Sequence, residues 1–413
     1  MHPAVSIFHA AIRAVQPSQI IPPCVRWQDG LYINDQPVPL NGRLFLIAAG
    51  KAAAAMALET EKIIGPQLTA GLVITKHEHG LPLQYCRLIE AGHPLPDEHS
   101  IQAGEAVKTM LTGLTANDVV ILLLSGGASS LLADLPEGMT LQQLQAVFDQ
   151  LIKSGAGIHE INTIRKHLSH LKGGGLANMT HPAQLYVLAL SDVVGDQPDV
   201  IGSGPASPDT SSLEDAQEIA HRYELKDLPL HETPKPGDAI FQNIHYHLAG
   251  NNRMALNAAK QQAEQSGYHT SILTDTATGV VEDLCQQILQ AAHQYKGPLP
   301  ACLLMGGEST VIVTGNGKGG RNQQLALLAG QALPAHLTIL CGGTDGTDGP
   351  TDAAGAMVNA DIMKAATALG RDAQVYLANN DAYHFFEQTE GLIHTGPTQT
   401  NVMDIIIILI ERH

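Results

Sequence analysis

Aromatic side chains are scarce, amounting to 4% of 413 residues with a single tryptophan, which argues against a barrel of aromatic-rich strands. The five cysteines (Cys24, Cys86, Cys285, Cys302 and Cys341) are odd in number, widely spaced and free of any C-x-x-C pair. Neither a disulfide framework nor a zinc site is indicated, and Cys302 and Cys341, in apolar runs, read as inert core thiols. Positive charge is also short: 23 Lys and Arg face 40 Asp and Glu, for a formal net charge of −17. That balance disfavours non-specific nucleic-acid binding and adsorption to anionic membranes. Apolar runs such as 405–410 are far too short to cross a bilayer. The first fifteen residues alternate like an amphipathic helix (Val5, Ile7, Phe8, Ile12, Val15) and lack the basic start and continuous apolar stretch of a secretory signal. A soluble, cytoplasmic protein is expected.

What the chain does have is glycine, 40 residues of it, in a globular composition of 44% hydrophobic and 15% charged residues. Its length exceeds one ordinary core and predicts two domains. Apolar runs without polar alternation at 44–49, 70–75, 119–124 and 185–190 read as strands buried on both faces, as in parallel sheets flanked by helices. Helices are predicted at 51–64, 100–111 and 141–151, with a His-, Pro- and Gly-rich loop running through residue 99. The segment 226–238 holds three prolines and no apolar period, so it is the expected linker. It divides the chain into domains at 1–235 and 236–413. In the second, strands are predicted at 244–248, 270–273, 301–305, 310–314, 337–341 and 405–409, with helices at 252–266 and 322–333. The short turn between 301–305 and 310–314 predicts an antiparallel hairpin. LLLSGGASS (122–130) echoes LLMGGESTV (303–311), through duplication or through convergence on strand-end geometry.

Several predicted strand ends carry paired glycines beside polar residues: Gly50-Lys51, Ser125-Gly126-Gly127, Gly306-Gly307-Glu308 and Gly342-Gly343-Thr344-Asp345, with Ser191-Asp192 ending another. Glycine lets backbone N–H groups approach an anion, and ligands of open α/β sheets bind beyond these ends; tight turns are the plainer reading. Lys51, opening a helix, could face a phosphate or a carboxylate, or simply be solvated. No Walker A loop occurs. Residues 315–320 match G-x-G-x-x-G between a strand and a helix, a weak dinucleotide signal, and the neighbouring Arg321 suits a transferring phosphoryl group. Acidic residues gather at Asp192 and Asp196 and at Asp345, Asp348 and Asp352. Magnesium needs only one or two carboxylates beside substrate phosphates, although such Asp/Gly loops also merely form turns. Asp192 is the candidate acceptor of a hydroxyl proton, or a cap. Asn162, Arg165, Lys166 and Lys172-Gly173-Gly174-Gly175 reverse the local sign of charge and read as an anion site, or as a solvated helix face.

Together the segments AAGKAAAAMA (48–57), EAGHPLPDEHS (90–100), LLLSGGASSLL (122–132), INTIRKHLSHLKGGGLA (161–177), LSDVVGDQPDVIGSGPASPDTSS (190–212), GGESTVIVTGNGKGGRNQQLAL (306–327) and GGTDGTDGPTDAAGA (342–356) resemble the glycerate 2-kinase family with its MOFRL-type C-terminal domain. Members of that family have often been labelled hydroxypyruvate reductases. The resemblance implies a Rossmann-like parallel three-layer sandwich and a C-terminal mixed-sheet α/β domain, with the active site in the cleft between them. It also implies phosphorylation of D-glycerate to 2-phosphoglycerate with ATP and Mg²⁺. Carried onto matching positions, Lys51 and Arg321 become the catalytic cations. Chemistry then assigns Asp192 as base; Glu308, Asp345 and Asp348 as metal ligands; and Gly50, Ser125, Gly126, Gly127, Arg165, Gly306, Gly307, Gly319 and Gly320 as substrate or nucleotide contacts. The expected partners are small molecules, and a homodimer is compatible with them. Two rivals remain at this point: an NAD(P)H-dependent hydroxypyruvate reductase, drawing on 315–320, and a non-enzymatic nucleotide- or sugar-acid-binding regulator.

Overall fold

The computed structural model describes residues 2–412, so Met1 of the expected amphipathic helix lies outside the described residues. Two compact units form, one from residues 17–249 and the other from 1–16 joined to 250–413. The boundary thus falls later than 235. Residues 226–238 pack onto the first unit instead of linking: Thr233 donates to Asp209 (3.0 Å) and the His231 N–H to the His167 carbonyl (3.0 Å). The N-terminal helix Pro3–Ala14 buries Ile7, Phe8 and Ile12 and packs on the helix Asn252–Gln265, so it belongs to the second unit despite its place in sequence.

The first unit centres on strands β1 (Leu44–Ala49), β2 (Ala70–Lys76), β3 (Arg87–Ala91), β4 (Val119–Ser125), β5 (Gln184–Leu190) and β6 (Ile244–Gly250). Every residue of β1 and β4 is buried. Their order is 3-2-1-4-5-6, with β3-β2-β1-β4-β5 all parallel. This is the doubly wound order, in which the chain reverses direction across the sheet between β1 and β4. The strand β3, inside the predicted loop, was hidden by its half-exposed pattern.

In the second unit β7 (His269–Val280), β8 (Ala301–Thr310), β9 (Leu337–Gly343), β10 (Gly355–Val358), β11 (Leu392–Ile393) and β12 (Asp404–Ile410) form a mixed sheet in the order 7-8-12-9-10-11. The expected hairpin at 301–314 does not form. Strand β8 runs on through Gly306 and Gly307, parallel to β7 and antiparallel to β12, and residues 311–320 have no regular structure. The glycines extend the strand because they admit close neighbours: a Cβ at Gly306 would sit 1.8 Å from Asn252 Oδ1, and one at Gly307 2.1 Å from the Ala277 carbonyl. The echo between 122–130 and 303–311 is therefore one of composition, a strand-to-helix turn in one unit and a strand interior in the other. All five cysteines are free; Cys302 and Cys341 are buried, which pushes their thiols up. Among the described residues no helix is long and apolar enough to cross a membrane.

Candidate active site

The reversal point between β1 and β4 gathers the polar strand ends of the first unit. The Lys51 N–H donates to the Gly126 carbonyl (2.8 Å) and the Ala52 N–H to Ser125 Oγ (3.1 Å), lacing one strand end to the other. Gly50 takes φ +129° and Gly127 φ +83°, conformations that favour glycine. The close approach is tightest at Gly126, where a Cβ would lie 1.6 Å from Asp192 Oδ2. At Gly127 it would lie 2.9 Å from the His93 ring and 3.3 Å from Lys51 Cγ. Gly50, Lys51, Ser125, Gly126, Gly127 and Asp192 thus come together, and His93 joins them. Burial first, and then Lys51, Lys76 and His79, pull the His93 imidazole down to about 4. It is neutral at physiological pH in a locally cationic corner of an acidic protein.

Next to this corner in sequence lies a cavity of about 220 Å³, walled by Pro94–Pro96, Leu144, Phe148 and Leu168, with Ser129, Ser130, Ser169, Arg165 and Lys172 supplying polar groups. Arg165 donates Nη1 to Asn162 Oδ1 (2.9 Å) and its guanidinium lies 5.0 Å from the Phe148 ring centroid. Among the described residues no carboxylate pairs with it, and burial pulls it down to about 10. Arg165 is partly buried, and most of its five donors meet no protein acceptor among the described residues, leaving them for water or an anion. Lys172 donates to the Leu132 carbonyl (2.9 Å); burial lowers it to about 8, Asp134 opposing the shift and Arg165 adding to it. Lys166, by contrast, is buried against Asp209 (3.2 Å) and Asp199 (3.4 Å) as a structural pair. Above Asn162, Gly202, Ser203 and Gly204 take φ +60°, +61° and +61°, and Ser203 Oγ reaches both Ser129 Oγ (2.7 Å) and Asn162 Oδ1 (3.3 Å). A non-glycine residue held at positive φ is strain of the kind that clusters at binding sites.

In the second unit Arg321 opens the helix Arg321–Gly330 and is gripped by two carboxylates. Nε and Nη2 donate to Asp404 (2.7 and 3.1 Å) and Nη1 to Glu308 (2.7 Å). Burial alone would lower its pKa, but Asp404 and then Glu308 outweigh it, so the group is held above its ordinary value. Two of the five N–H groups carry no partner in this arrangement. Asp404, buried at the start of β12 and also bonded by Asn322 Nδ2 (2.9 Å), was not singled out from sequence. The only signal was an acidic residue at the edge of the apolar run 405–410.

The first four N–H groups of the loop 315–320 are taken up by residues 379–381. Gly315 donates to Asn380 Oδ1 (2.9 Å), Asn316 to Asn379 Oδ1 (3.1 Å), Gly317 to the Asn379 carbonyl (2.8 Å) and Lys318 to Asp381 Oδ1 (2.8 Å). The helix after it is capped by Asp348, which accepts the N–H groups of Asn322 (3.1 Å) and Gln323 (2.9 Å). Gly320 is bare because a Cβ there would meet the Asp348 carboxyl at 2.3 Å, while at Gly319 the nearest atom, the Ala382 nitrogen, would be 3.3 Å away. A dinucleotide pyrophosphate would need those N–H groups and that helix end, so the reductase reading loses its motif. Burial pushes Asp348 up to about 6, and each of its oxygens accepts one of these N–H groups, so it caps the helix. Among the described residues Glu308, Asp345 and Asp348 form no three-donor cluster. Asp345 is partly exposed and accepts the Thr347 N–H (3.1 Å), and Glu308 is exposed beside Arg321; carboxylate oxygens are the donors magnesium takes when phosphates complete its shell. Gly306 and Gly307 are buried in β8 against Asn252 and Ala277.

Residues 3–232 match the model of a domain of unknown function, DUF4147, and residues 301–404 that of the MOFRL family. A D-glycerate 2-kinase of Thermotoga maritima is 44% identical over 89% of this chain and 91% of its own length. A glycerate 2-kinase of Pyrococcus horikoshii is 36% identical over 97% and 95% respectively. The crystal structure of a glycerate kinase from Thermotoga maritima superposes with a TM-score of 0.89 at 40% identity, covering 99% of this chain and 98% of that one. With a DUF4147 region followed by a MOFRL region, and such relatives along nearly its whole length, the chain belongs to the glycerate 2-kinase family.

Proposed function

We propose that this protein transfers the γ-phosphoryl group of ATP to the 2-hydroxyl of D-glycerate, giving 2-phosphoglycerate and ADP. The observation that carries the reading is Arg165: a guanidinium that no carboxylate among the described residues pairs with, lining a small cavity next to the corner that holds Lys51, Ser125–Gly127 and Asp192. A short hydroxy acid places its carboxylate on Arg165, with Lys172 and the serine hydroxyls beside it, and its hydroxyl toward Asp192. Asp192 takes the hydroxyl proton as the oxygen–phosphorus bond forms and the bond to the leaving ADP oxygen breaks. Lys51 offsets the negative charge on the transferring group, where positioning and electrostatics do most of the catalytic work. Arg321, oriented by Asp404, suits the phosphates of a nucleotide. Magnesium, held by Glu308 and Asp345 with the nucleotide phosphates, would neutralise phosphate charge. The partners are these small molecules, and the setting is the cytoplasm.

The test offers the purified protein two reactions in parallel. ADP release from ATP and Mg²⁺ that depends on D-glycerate supports the proposal; NADH oxidation with hydroxypyruvate, in a protein that leaves ATP untouched, refutes it.

A further inference from the structure

A second cluster of ligating side chains stands apart from these groups. His77 comes directly after β2, Asp97 caps the helix Glu98–Met110, and His99 is the second residue of that helix. Asp97 divides its work between its two oxygens. Oδ1 accepts the Ser100 N–H (2.9 Å) and hydroxyl (3.1 Å) in a capping box. Oδ2 faces His77 Nε2 at 2.8 Å and His99 Nδ1 at 3.7 Å. The three ligand atoms all lie within 4.8 Å of one another. The imidazoles meet edge to face with centroids 5.7 Å apart.

We infer that His77, Asp97 and His99 bind a borderline divalent transition metal, of the class of Zn²⁺, Ni²⁺ or Co²⁺, through Nε2, Oδ2 and Nδ1. Two imidazoles and one carboxylate are the donors such ions prefer, whereas Mg²⁺ and Ca²⁺ take all-oxygen shells. Bonds of about 2.0–2.2 Å to zinc place tetrahedral donors roughly 3.3 Å apart, and the observed 2.8 and 3.7 Å bracket that spacing. The remaining adjustment falls on side chains 47%, 34% and 58% exposed for His77, Asp97 and His99, which leaves the fourth position to water. Support is already in place at the carboxylate, which Ser100 fixes through its N–H and hydroxyl, while the backbone N–H of His77 ties that residue's main chain to the Ala91 carbonyl (3.2 Å). Such outer bonds hold ligands in their binding orientation. An ion here would clamp the end of β2 to the start of the helix, on either side of residues 93–96, whose Pro94–Pro96 wall the cavity at Arg165. The site is thus separate from the magnesium of phosphoryl transfer in both ligands and metal preference.

The experiment is calorimetric titration of the full chain, stripped with EDTA, with ZnCl₂ in the absence of nucleotide and then in excess MgCl₂. One saturable site that magnesium does not displace is expected, together with a rise in melting temperature on zinc binding. His77→Ala, His99→Ala and Asp97→Asn should each weaken it by about tenfold or more. Asn keeps the helix cap, so Asp97→Asn separates lost ligation from lost folding, and unchanged melting of the metal-free variants verifies this. With Co²⁺ as probe, the visible bands of a four-coordinate site should appear in the parent and be absent from the double variant His77→Ala/His99→Ala. No saturable zinc binding, or equal zinc affinity in that double variant, overturns the inference without touching the kinase reading.

Discussion

Gly126→Ala isolates the contact on which the proposed proton transfer rests. Gly126 does not occupy the left-handed region, so alanine costs no backbone strain there, and the whole effect is steric. The new Cβ would lie 1.6 Å from Asp192 Oδ2, 2.2 Å from its Cγ and 2.7 Å from Oδ1. Ordinary van der Waals contact begins near 3.4 Å, so the carboxylate must withdraw by nearly 2 Å or the strand end must shift. A misplacement of about 1 Å at reacting groups costs roughly 100-fold in rate, or about 2.7 kcal/mol of barrier. We expect kcat for glycerate-dependent ADP release to fall about 100-fold or more. Overpacking should cost stability only about 1–3 kcal/mol, leaving a folded protein by circular dichroism. Gly157→Ala is the matched control, because its Cβ would find nothing closer than Glu160 Oε2 at 3.7 Å; its kcat should be unchanged. A folded Gly126→Ala protein turning over within about threefold of the parent would show that Asp192 need not stand where it does, and would remove it as the base.

Arg165→Met keeps the bulk against Phe148 but loses charged hydrogen bonds worth about 1.5–3 kcal/mol; the KM for glycerate should rise roughly 10- to 150-fold with the KM for ATP unchanged. A rise in the ATP value alone would instead place the nucleotide in this cavity. Asp404→Asn should lower unfolding stability by roughly 1–3 kcal/mol in urea titrations, less than a fully buried pair loses because the Arg321 side chain is 32% exposed. Glu308→Gln, at a 44% exposed carboxylate, should cost under about 1 kcal/mol; equal losses would contradict Asp404 as the anchor. For Asp348 the folded pKa of about 6 lies above its ordinary 3.8, so its contribution is fullest below about pH 4 and is lost as pH rises through 6. Asp348→Asn retains a capping side chain and should flatten stability between pH 4 and 7 while keeping Mg²⁺-dependent turnover. Loss of turnover in a stable Asp348→Asn protein would return that residue to the metal.

The strands legible from sequence are those buried on both faces, such as 44–49 and 119–124, where one apolar run leaves no other home for the segment. Their polar ends were legible for the same reason, since a buried parallel strand delivers the residues after it to one edge of the sheet. Edge strands were not: Arg87–Ala91 shows one exposed, two half-exposed and two buried residues, a pattern that its loop-like neighbours obscure. Glycine misled most. Gly306-Gly307 reads as a turn and Gly315–Gly320 as a phosphate loop, yet the first makes room for Asn252 and Ala277, and the second is held by residues 379–381. Local grammar cannot reveal partners 30 or more residues away. The same distance hid Asp404, 83 residues from Arg321, and the placement of the helix Pro3–Ala14 in the far unit. Arg165 was legible as charge, but its lack of a counter-ion emerged only from the surrounding side chains.

The phosphorylated product is the sharpest test. With D-glycerate, ATP and Mg²⁺, proton-coupled ³¹P NMR should show the new phosphorus split into a doublet by the single hydrogen on C2, as 2-phosphoglycerate requires. A triplet from the two hydrogens of C3, or no new phosphate ester at all, would contradict the assignment.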